Sequence, residues 1–218
     1  MIIAIDGPAG SGKGTVAKII AKKISAVYVD TGAMYRCVAL EAIRNNIKIE
    51  EKEKIQEFLN NINIDLKQEN ENLKIYLNNE DVSDKIRTEE VSKFASSYST
   101  IDIVREKMVD LQREMATSKD IVMEGRDIGT VVFPNADIKI YLDATPEERA
   151  NRRMKQNKEK GIESNYDDIL KEIKIRDNRD MTRKISPLKK ADDAIYMDST
   201  NFEIDEVVDK ILHIINAE

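Results

Sequence analysis

Short apolar runs recur along the chain and alternate with longer segments in which apolar residues return every three or four positions. The runs predict buried strands at Ile2–Asp6, Ala26–Val29, Ile121–Glu124, Ile138–Leu142 and Ala194–Asp198. The longer segments between them predict amphipathic helices. Five short apolar strands separated by helices indicate an α/β fold in which helices cover both faces of a parallel sheet. Ligands of such sheets bind beyond the carboxyl ends of the strands.

One stretch follows a different pattern. Residues 62–67 and 73–77 alternate strictly between apolar and polar side chains, and a polar turn is predicted between them over Gln68–Asn72. A third short strand is predicted within Asn78–Val82. This spacing indicates a small antiparallel meander. We expect a single domain over residues 1–218, with the meander inside an insertion at about residues 60–97.

A glycine-rich loop follows the first strand. Gly7, Gly12 and Lys13 fit the phosphate-binding spacing G-x-x-x-x-G-K, in which glycines let successive N–H groups face one phosphate. The position that usually holds the Ser or Thr ligand of Mg²⁺ holds Gly14, and Thr15 comes next. A G-K-G-T loop is typical of small nucleotide kinases rather than of switch GTPases. The predicted nucleotide-binding set, called the phosphate loop below, is Gly7, Pro8, Ala9, Gly10, Ser11, Gly12, Lys13, Gly14 and Thr15.

Two further strand ends carry candidate ligand contacts. Residues 30–36 combine a strand end, a predicted glycine turn and a helix start, and Arg36 lies one turn into that helix, where a guanidinium suits a second phosphate. Arg126 and Asp127 follow the third strand at the same predicted edge of the sheet, which favours a substrate contact. Glu124 suggests the carboxylate of a Walker-B element, although that element usually has an Asp after a longer apolar run.

Two arginine-rich helical segments follow the fourth strand. The arginines of the first are spaced i, i+3 and i+4 and therefore share one face; they are Arg149, Arg152 and Arg153. Those of the second are Arg176, Arg179 and Arg183. Two exposed, salt-bridged faces are the alternative interpretation. The interval Lys155–Asn165 favours a lid at about residues 150–166, whose arginines would surround a transferring phosphoryl group.

Composition limits the classes of function. The net charge of −6 argues against general nucleic-acid binding. One cysteine, Cys37, excludes an internal disulfide and suits a reducing cytoplasm. One histidine, His213, makes histidine-based catalysis and a His-rich metal site poor explanations. No apolar run approaches ~18 residues, and the opening strand leaves no room for a signal peptide. We therefore expect a cytoplasmic protein with neither a membrane nor a nucleic acid as partner.

The segments taken together resemble the nucleoside monophosphate kinases, and most closely the bacterial-type cytidylate kinases. The motifs that carry the resemblance are Gly7–Thr15, Asp30–Arg36, Ile86–Val91, Glu124–Pro134, Glu147–Arg153 and Ile175–Asp180, with Arg183 and Pro187-Leu188. The resemblance implies a three-layer P-loop kinase fold with a five-stranded parallel sheet, an antiparallel insertion in the region that binds the nucleoside monophosphate, and a helical lid. It also implies ATP-dependent phosphorylation of CMP and dCMP. We expect the protein to be a monomer.

The resemblance further implies roles for individual residues. The acceptor phosphate would be held by Arg36, Arg126 and Arg183. The cytosine edge would be read by Ser96, Arg105 and Asp127, in a pocket also lined by Thr31. The sugar would meet Arg176 and Asp180. The transferring group would be stabilised by Lys13, Arg126, Arg149, Arg153 and Arg183. Mg²⁺ would bridge ATP phosphate oxygens; no side chain is assigned as its ligand, and Thr15 is the nearest hydroxyl.

Two alternatives stay open at this point. The first is a P-loop kinase for another small acceptor, such as UMP, AMP or a shikimate-like molecule. The insertion and the Arg126–Asp127 pair favour cytidine nucleotides over these. The second is a regulatory nucleotide-binding switch, but the Asn-Lys-x-Asp element with which GTPases read guanine does not occur in the chain.

Overall fold

A computed structural model describes residues 1–69, 72–117 and 119–217. They form two compact units. The first unit comprises Met1–Tyr28 and Ser118–Glu218, and the second comprises Val29–Thr117. Among the described residues, no helix combines the length and the apolar character that crossing a membrane requires.

The sheet of the first unit is built on the predicted apolar runs. Its strands are β1 (Ile2–Asp6), β2 (Val27–Asp30), β6 (Ile121–Gly125), β7 (Ile138–Asp143) and β8 (Ile195–Asp198), in the order β2-β6-β1-β7-β8, with β2 crossing the boundary between the units. β1 pairs in parallel with β6 and β7, and β7 pairs in parallel with β8. The registers join Asp6 to Gly125 and Asp143 to Asp198, so these strands end at one edge.

The helices of the first unit are α1 (Lys13–Lys23), α6 (Pro146–Glu159), α7 (Tyr166–Thr182) and α8 (Ile204–Ile215). Side chains that precede α6 and α7 cap these two helices. Thr145 caps α6 ahead of Pro146, and Asn165 caps α7. Ile3 and Ile5 of β1, Val16 and Ile20 of α1, and Ile211 of α8 are fully buried in one apolar core. One element was not predicted: a π-helical segment at Ile128–Val132.

The second unit contains the predicted meander. Its strands are β3 (Ile64–Glu69), β4 (Asn72–Leu77) and β5 (Glu80–Asp81), and they pair antiparallel. Its helices are α2 (Thr31–Arg44), α3 (Lys52–Asn61), α4 (Glu89–Tyr98) and α5 (Asp102–Met115), with a 3₁₀ turn at Lys85–Arg87. The turn predicted over Gln68–Asn72 centres on residues 70 and 71, which lie outside the described residues.

The predicted fold class is confirmed: a five-stranded parallel sheet and a separate antiparallel meander are both present. The predicted glycine turn after β2 is wrong. α2 begins directly at Thr31, because the Asp30 carboxylate caps it by accepting a hydrogen bond from the Ala33 N–H. Gly32 therefore lies in the first helical turn. The limits of a single domain, its insertion and its lid remain predictions.

Candidate active site

The phosphate loop connects β1 directly to α1. Gly10 and Gly12 adopt φ of +80° and +89°, conformations that side chains other than glycine rarely tolerate. Gly7 has no room for a side chain, since a Cβ there would lie 2.0 Å from the carbonyl oxygen of Leu142. Gly12 offers no side-chain cap to α1, and the buried hydroxyl of Ser11 has no hydrogen-bond partner among the described residues. Polar groups thus remain for a phosphate, and ATP fits the loop.

Three cations bind backbone carbonyls of the phosphate loop. Lys13 Nζ donates to the Pro8 carbonyl at 3.1 Å. Arg149 Nη1 donates to the Ala9 carbonyl at 3.1 Å, and Arg152 Nη1 donates to the Ser11 carbonyl at 3.2 Å. The loop is therefore fixed through its carbonyl groups by α1 and α6.

Arg149 is the most deeply buried of these arginines, with 3 % of the residue exposed. Its guanidinium forms a bidentate pair with Asp177 of α7, at 2.9 and 2.5 Å, and its Nε donates to the Ala144 carbonyl at 2.9 Å. Arg152 is held differently. It bonds Glu148 and both the hydroxyl and the carbonyl of Ser199.

Arg153 completes the predicted trio of α6. It is exposed and forms no hydrogen bond or ion pair with the part of the chain that the structure describes. The predicted trio thus separates into two residues bound to the phosphate loop and one that projects into solvent.

Gly14 lies beside two polar side chains that explain its identity. A Cβ at Gly14 would lie 3.2 Å from Glu124 Oε1 and 3.5 Å from the Tyr28 hydroxyl. The other carboxylate oxygen of Glu124 is 3.6 Å from Lys13 Nζ. Position 14, which usually supplies a hydroxyl ligand of Mg²⁺, therefore lies next to the Glu124 carboxylate. Thr15 is exposed.

Asp6 connects the end of β1 to the π-helical segment that follows β6. Its buried carboxylate accepts hydrogen bonds from the N–H groups of Ile128 and Gly129, at 2.8 and 2.7 Å. Burial raises the pKa of Asp6 to about 7, against the opposing effect of these two hydrogen bonds. The residue that precedes the phosphate loop thus holds the backbone that follows Arg126 and Asp127.

Four of the predicted acceptor-site residues form one charged network in the first unit. Arg126 Nε donates to Asp180 at 3.0 Å, and Arg183 lies 3.6 Å from Asp180 and 3.9 Å from Asp127. Burial alone would raise the pKa of Asp180, but the surrounding guanidinium groups, with Arg126 foremost and Arg176 among them, hold it below its ordinary value. The side chains of Arg183, Asp127 and Asp180 are nearly buried.

The second unit positions Arg36 through Asp30. Arg36 Nη2 donates to Asp30 Oδ2 at 3.0 Å, while the other oxygen of that carboxylate caps α2. Arg36 Nε is buried and has no hydrogen-bond partner among the described residues, so the guanidinium retains a donor for a ligand. Thr31 is buried at the start of the same helix.

Arg105 is a fully buried cation in the second unit, with 1 % exposure. It lies over the ring of Tyr35, 5.2 Å from the centroid, and donates to the Ser99 carbonyl at 3.0 Å. The Ser99 hydroxyl in turn donates to the carbonyl of Ser96, which is also buried. Arg105 and Ser96, both predicted to read a base, are thus connected through Ser99.

Sequence reasoning missed several residues of these clusters: Asp6, Asp30, Tyr35, Ser99, Asp177 and Ser199. Asp6 and Asp30 end strands immediately before predicted anion sites, and that position was an available signal. Asp177 lies between arginines on α7, a pattern that is also typical of an exposed, salt-bridged helix face. Nothing in the local pattern distinguishes Ser199 or Ser99 from surface residues.

A glycine-rich loop with a lysine at the end of the central strand, and buried arginine–carboxylate clusters beyond the same sheet edge, define a P-loop kinase. The chain belongs to the cytidylate kinase family, whose model matches residues 3–217.

Relatives across the full length agree with this assignment. The cytidylate kinase of Caldicellulosiruptor saccharolyticus is 51% identical over 212 residues, which cover 97% of this chain and 94% of the relative. That of Lactobacillus johnsonii is 51% identical over 218 residues, covering 100% of this chain and 95% of the relative. The alternatives left open by the sequence, a kinase for another acceptor and a regulatory switch, are therefore not favoured.

Solved structures show the same fold at low sequence identity. An uncharacterized protein from Eubacterium ventriosum superimposes with a TM-score of 0.54 at 14% identity, covering 100% of this chain and 99% of that one. Shikimate kinase from Bacteroides thetaiotaomicron superimposes with a TM-score of 0.50 at 12% identity, covering 99% and 98%. These similarities concern the fold alone.

Proposed function

We propose that this protein transfers the γ-phosphoryl group of ATP directly to CMP and dCMP, forming CDP and dCDP. The observation that carries the proposal is the family match over residues 3–217, together with relatives about half identical over nearly the whole chain. The phosphate loop supports the donor half of the reaction. Its free polar groups, the Ser11 hydroxyl included, suit the phosphates of ATP.

The first unit supplies residues that we assign to the acceptor. In the first unit, Arg126 and Arg183 bind the phosphate of the nucleoside monophosphate, and Asp127 reads its base. The sugar contacts Arg176 and Asp180. Support comes from the charged network itself, because arginines already gathered near carboxylates need little rearrangement to receive a phosphate.

For the second unit, we keep the roles that the family resemblance implies: Arg36 binds an acceptor phosphate, Ser96 and Arg105 read a base, and Thr31 lies beside that base. Cytosine presents an amine donor beside two acceptors, and a carboxylate with an arginine or hydroxyl matches that pattern. Uracil reverses the donor and acceptor and would leave buried groups unpaired.

The reaction needs no strong general base, since the nucleophile is already a phosphate oxygen. Lys13, Arg126 and Arg183 neutralise charge on the transferring group and its two flanking phosphates. Arg153 joins them as the exposed, unpaired arginine of α6 within the described chain.

Mg²⁺ is the metal we propose for this site. Among the described residues, no cluster of three or more Asp, Glu, His or Cys side chains forms a ready metal site. Glu124 is the carboxylate nearest to Gly14, and its oxygen suits a hard cation directly or through water. Bound there, Mg²⁺ would neutralise charge on the phosphate oxygens of ATP.

We further propose that the protein acts as a monomer in the cytoplasm and serves pyrimidine nucleotide metabolism. The lone Cys37 is buried, and burial raises the pKa of its thiol to about 12, which leaves it unreactive. A chain with one cysteine forms no internal disulfide, which suits a reducing compartment.

A coupled assay of ADP release tests the proposal. ATP is supplied with CMP, dCMP, UMP, AMP or shikimate in turn, and the ATP-only rate is subtracted. We expect CMP and dCMP to have kcat/KM values at least about 100-fold above those of the other acceptors. If no acceptor raises ADP release above the ATP-only rate, the protein is not a kinase of this class. If the kcat/KM for UMP or AMP exceeds that for CMP, the assigned substrate is wrong.

A further inference from the structure

The pair formed by Arg149 and Asp177 joins three elements of the first unit. Arg149 comes from α6, Asp177 comes from α7, and the same guanidinium donates to the Ala9 carbonyl of the phosphate loop. We infer that this pair positions the phosphate loop: Arg149 fixes the direction of the Ala9–Gly10 peptide, and Asp177 fixes Arg149. The inference rests on the proposed function and gives Arg149 a role other than direct contact with the transferring group.

The geometry of a peptide unit supplies the physical link. In a planar trans peptide the C=O and the following N–H point in opposite directions. A donor bound to the Ala9 oxygen therefore orients the Gly10 N–H toward the opposite side. Gly10 adopts φ +80°, and glycine has wide backbone freedom. Without a bond on the Ala9 carbonyl, this peptide would sample several orientations, and its N–H would be a poorer ligand for phosphate.

Packing reinforces this bond. A Cβ built on Gly10 would lie 3.4 Å from Arg149 Cβ and 3.7 Å from its Cγ, so the arginine stem runs along the loop. The residue is 3 % exposed, and Asp177 is 7 % exposed. A buried bidentate pair of this kind holds a guanidinium in one orientation.

The bonding of Arg149 argues against direct contact with a phosphoryl group. Each of its three nitrogens already donates to a protein oxygen, with the carbonyls of Ala144 and Ala9 and both oxygens of Asp177 as acceptors. These bonds use four of the five guanidinium N–H groups, and the residue is 3 % exposed, so a phosphate could engage the guanidinium face only by displacing the Asp177 carboxylate. Arg153, one turn further along α6, is exposed and can reach a ligand without breaking a contact seen in the described chain.

Three variants test the inference. Asp177→Asn keeps the shape of the side chain but removes its charge. Arg149→Lys keeps the charge but cannot form the bidentate pair. Arg149→Met with Asp177→Leu replaces the buried ions by apolar side chains of similar volume, a change that commonly preserves stability. The control is Lys174→Gln, because Lys174 pairs with Glu147 and so joins the same two helices on their exposed side, at 3.4 Å.

The measurements are the Kd of ADP by calorimetry without any acceptor, KM for ATP and CMP, kcat, and the melting temperature. We expect Asp177→Asn and Arg149→Lys each to raise the Kd of ADP about tenfold, with KM for CMP within about twofold of the wild type. The Met/Leu double variant should melt near the wild type yet still bind ADP about tenfold more weakly, because no donor reaches the Ala9 oxygen. Lys174→Gln should match the wild type.

Three results would overturn the inference. The first is wild-type ADP affinity in the Met/Leu variant, which would assign the pair a purely structural role. The second is a loss of kcat with unchanged ADP affinity in the single variants, which indicates contact with the transferring group. The third is wild-type ADP affinity in Asp177→Asn. Failure of the proposed function is distinguishable, because it appears as absent acceptor-dependent turnover in the wild type, whereas ADP binding needs no acceptor.

Discussion

The ammonium of Lys13 lies 3.6 Å from Glu124 Oε2, and both side chains are nearly buried. Lys13 also donates to the Pro8 carbonyl. The lysine of the phosphate loop is thus held between the loop backbone and the carboxyl end of β6. A polyphosphate with its higher charge would compete with these two oxygens for the ammonium. The same carboxylate is next to Gly14. Glu124 of β6 therefore lies beside both the lysine and the following glycine of the phosphate loop.

Lys13→Ala should lower kcat by roughly 100- to 1,000-fold, because a fixed positive charge is lost where negative charge develops on the transferring group. The fold should survive, since α1 retains its apolar core residues. Steady-state kinetics and circular dichroism check both points. Lys18→Ala, an exposed lysine of the same helix, is the matched control and should be unaffected. Near-normal turnover of Lys13→Ala would show that Lys13 does not stabilise the transferring group.

Gly7→Ala should destabilise the protein by about 3 kcal/mol or more, because the new Cβ would overlap the backbone oxygen of Leu142 at 2.0 Å and a strand must shift. Gly161→Ala is the comparison. Its Cβ would meet nothing within 4 Å, so only its φ of +69° opposes the change, at about 1 kcal/mol. Denaturant unfolding of both variants measures the difference. Equal decreases in the free energy of unfolding of the two variants would contradict the overlap with the Leu142 oxygen as the cause.

Most of the fold was predictable because its signals are local. Apolar runs located every strand of the parallel sheet, and alternation located the meander. The start of α6 is equally local, because Thr145 caps the helix directly ahead of Pro146. The start of α2 was misplaced because Gly32 was interpreted as a turn, whereas the Asp30 cap starts the helix at Thr31, before that glycine.

The candidate site was less predictable because its contacts join distant parts of the chain. Spacing placed Arg149 and Arg153 on one helix, but it did not reveal that Arg149 would be buried against Asp177 while Arg153 stayed exposed. The bonds from Ile128 and Gly129 to Asp6 span more than a hundred residues. Only the tertiary structure determines which charges are paired.

Asp127→Asn should mainly reduce discrimination between CMP and UMP, because a neutral amide can turn either a donor or an acceptor toward the base. We expect the ratio of kcat/KM values to fall by about tenfold or more. Asp127 also lies 3.9 Å from Arg183, so KM for both monophosphates should rise together by a smaller factor. Kinetics with both acceptors separate the two effects. An unchanged CMP:UMP ratio would reject the role of Asp127 in reading the base.

The buried carboxylate of Asp6 should make stability depend on pH. Its folded pKa is about 7, and the unfolded value is about 4. Between these values the folded protein retains a proton that the unfolded chain has released, so raising the pH favours unfolding. The stabilising contribution is complete below about pH 4 and is lost as the pH rises through about 7.

Asp6→Asn has no titrating carboxyl group at this position. Its free energy of unfolding should therefore lack the decrease that ionisation of Asp6 causes as the pH rises through about 7. The variant is less stable than the wild type at pH 5, because its amide NH₂ faces one of the two N–H donors. Its deficit in the free energy of unfolding should shrink by roughly 2 kcal/mol between pH 5 and pH 7. Urea unfolding at several pH values measures this, with the exposed Asp209→Asn as control. A deficit that stays constant with pH would mean that Asp6 is ionised throughout, with the two backbone N–H groups outweighing burial.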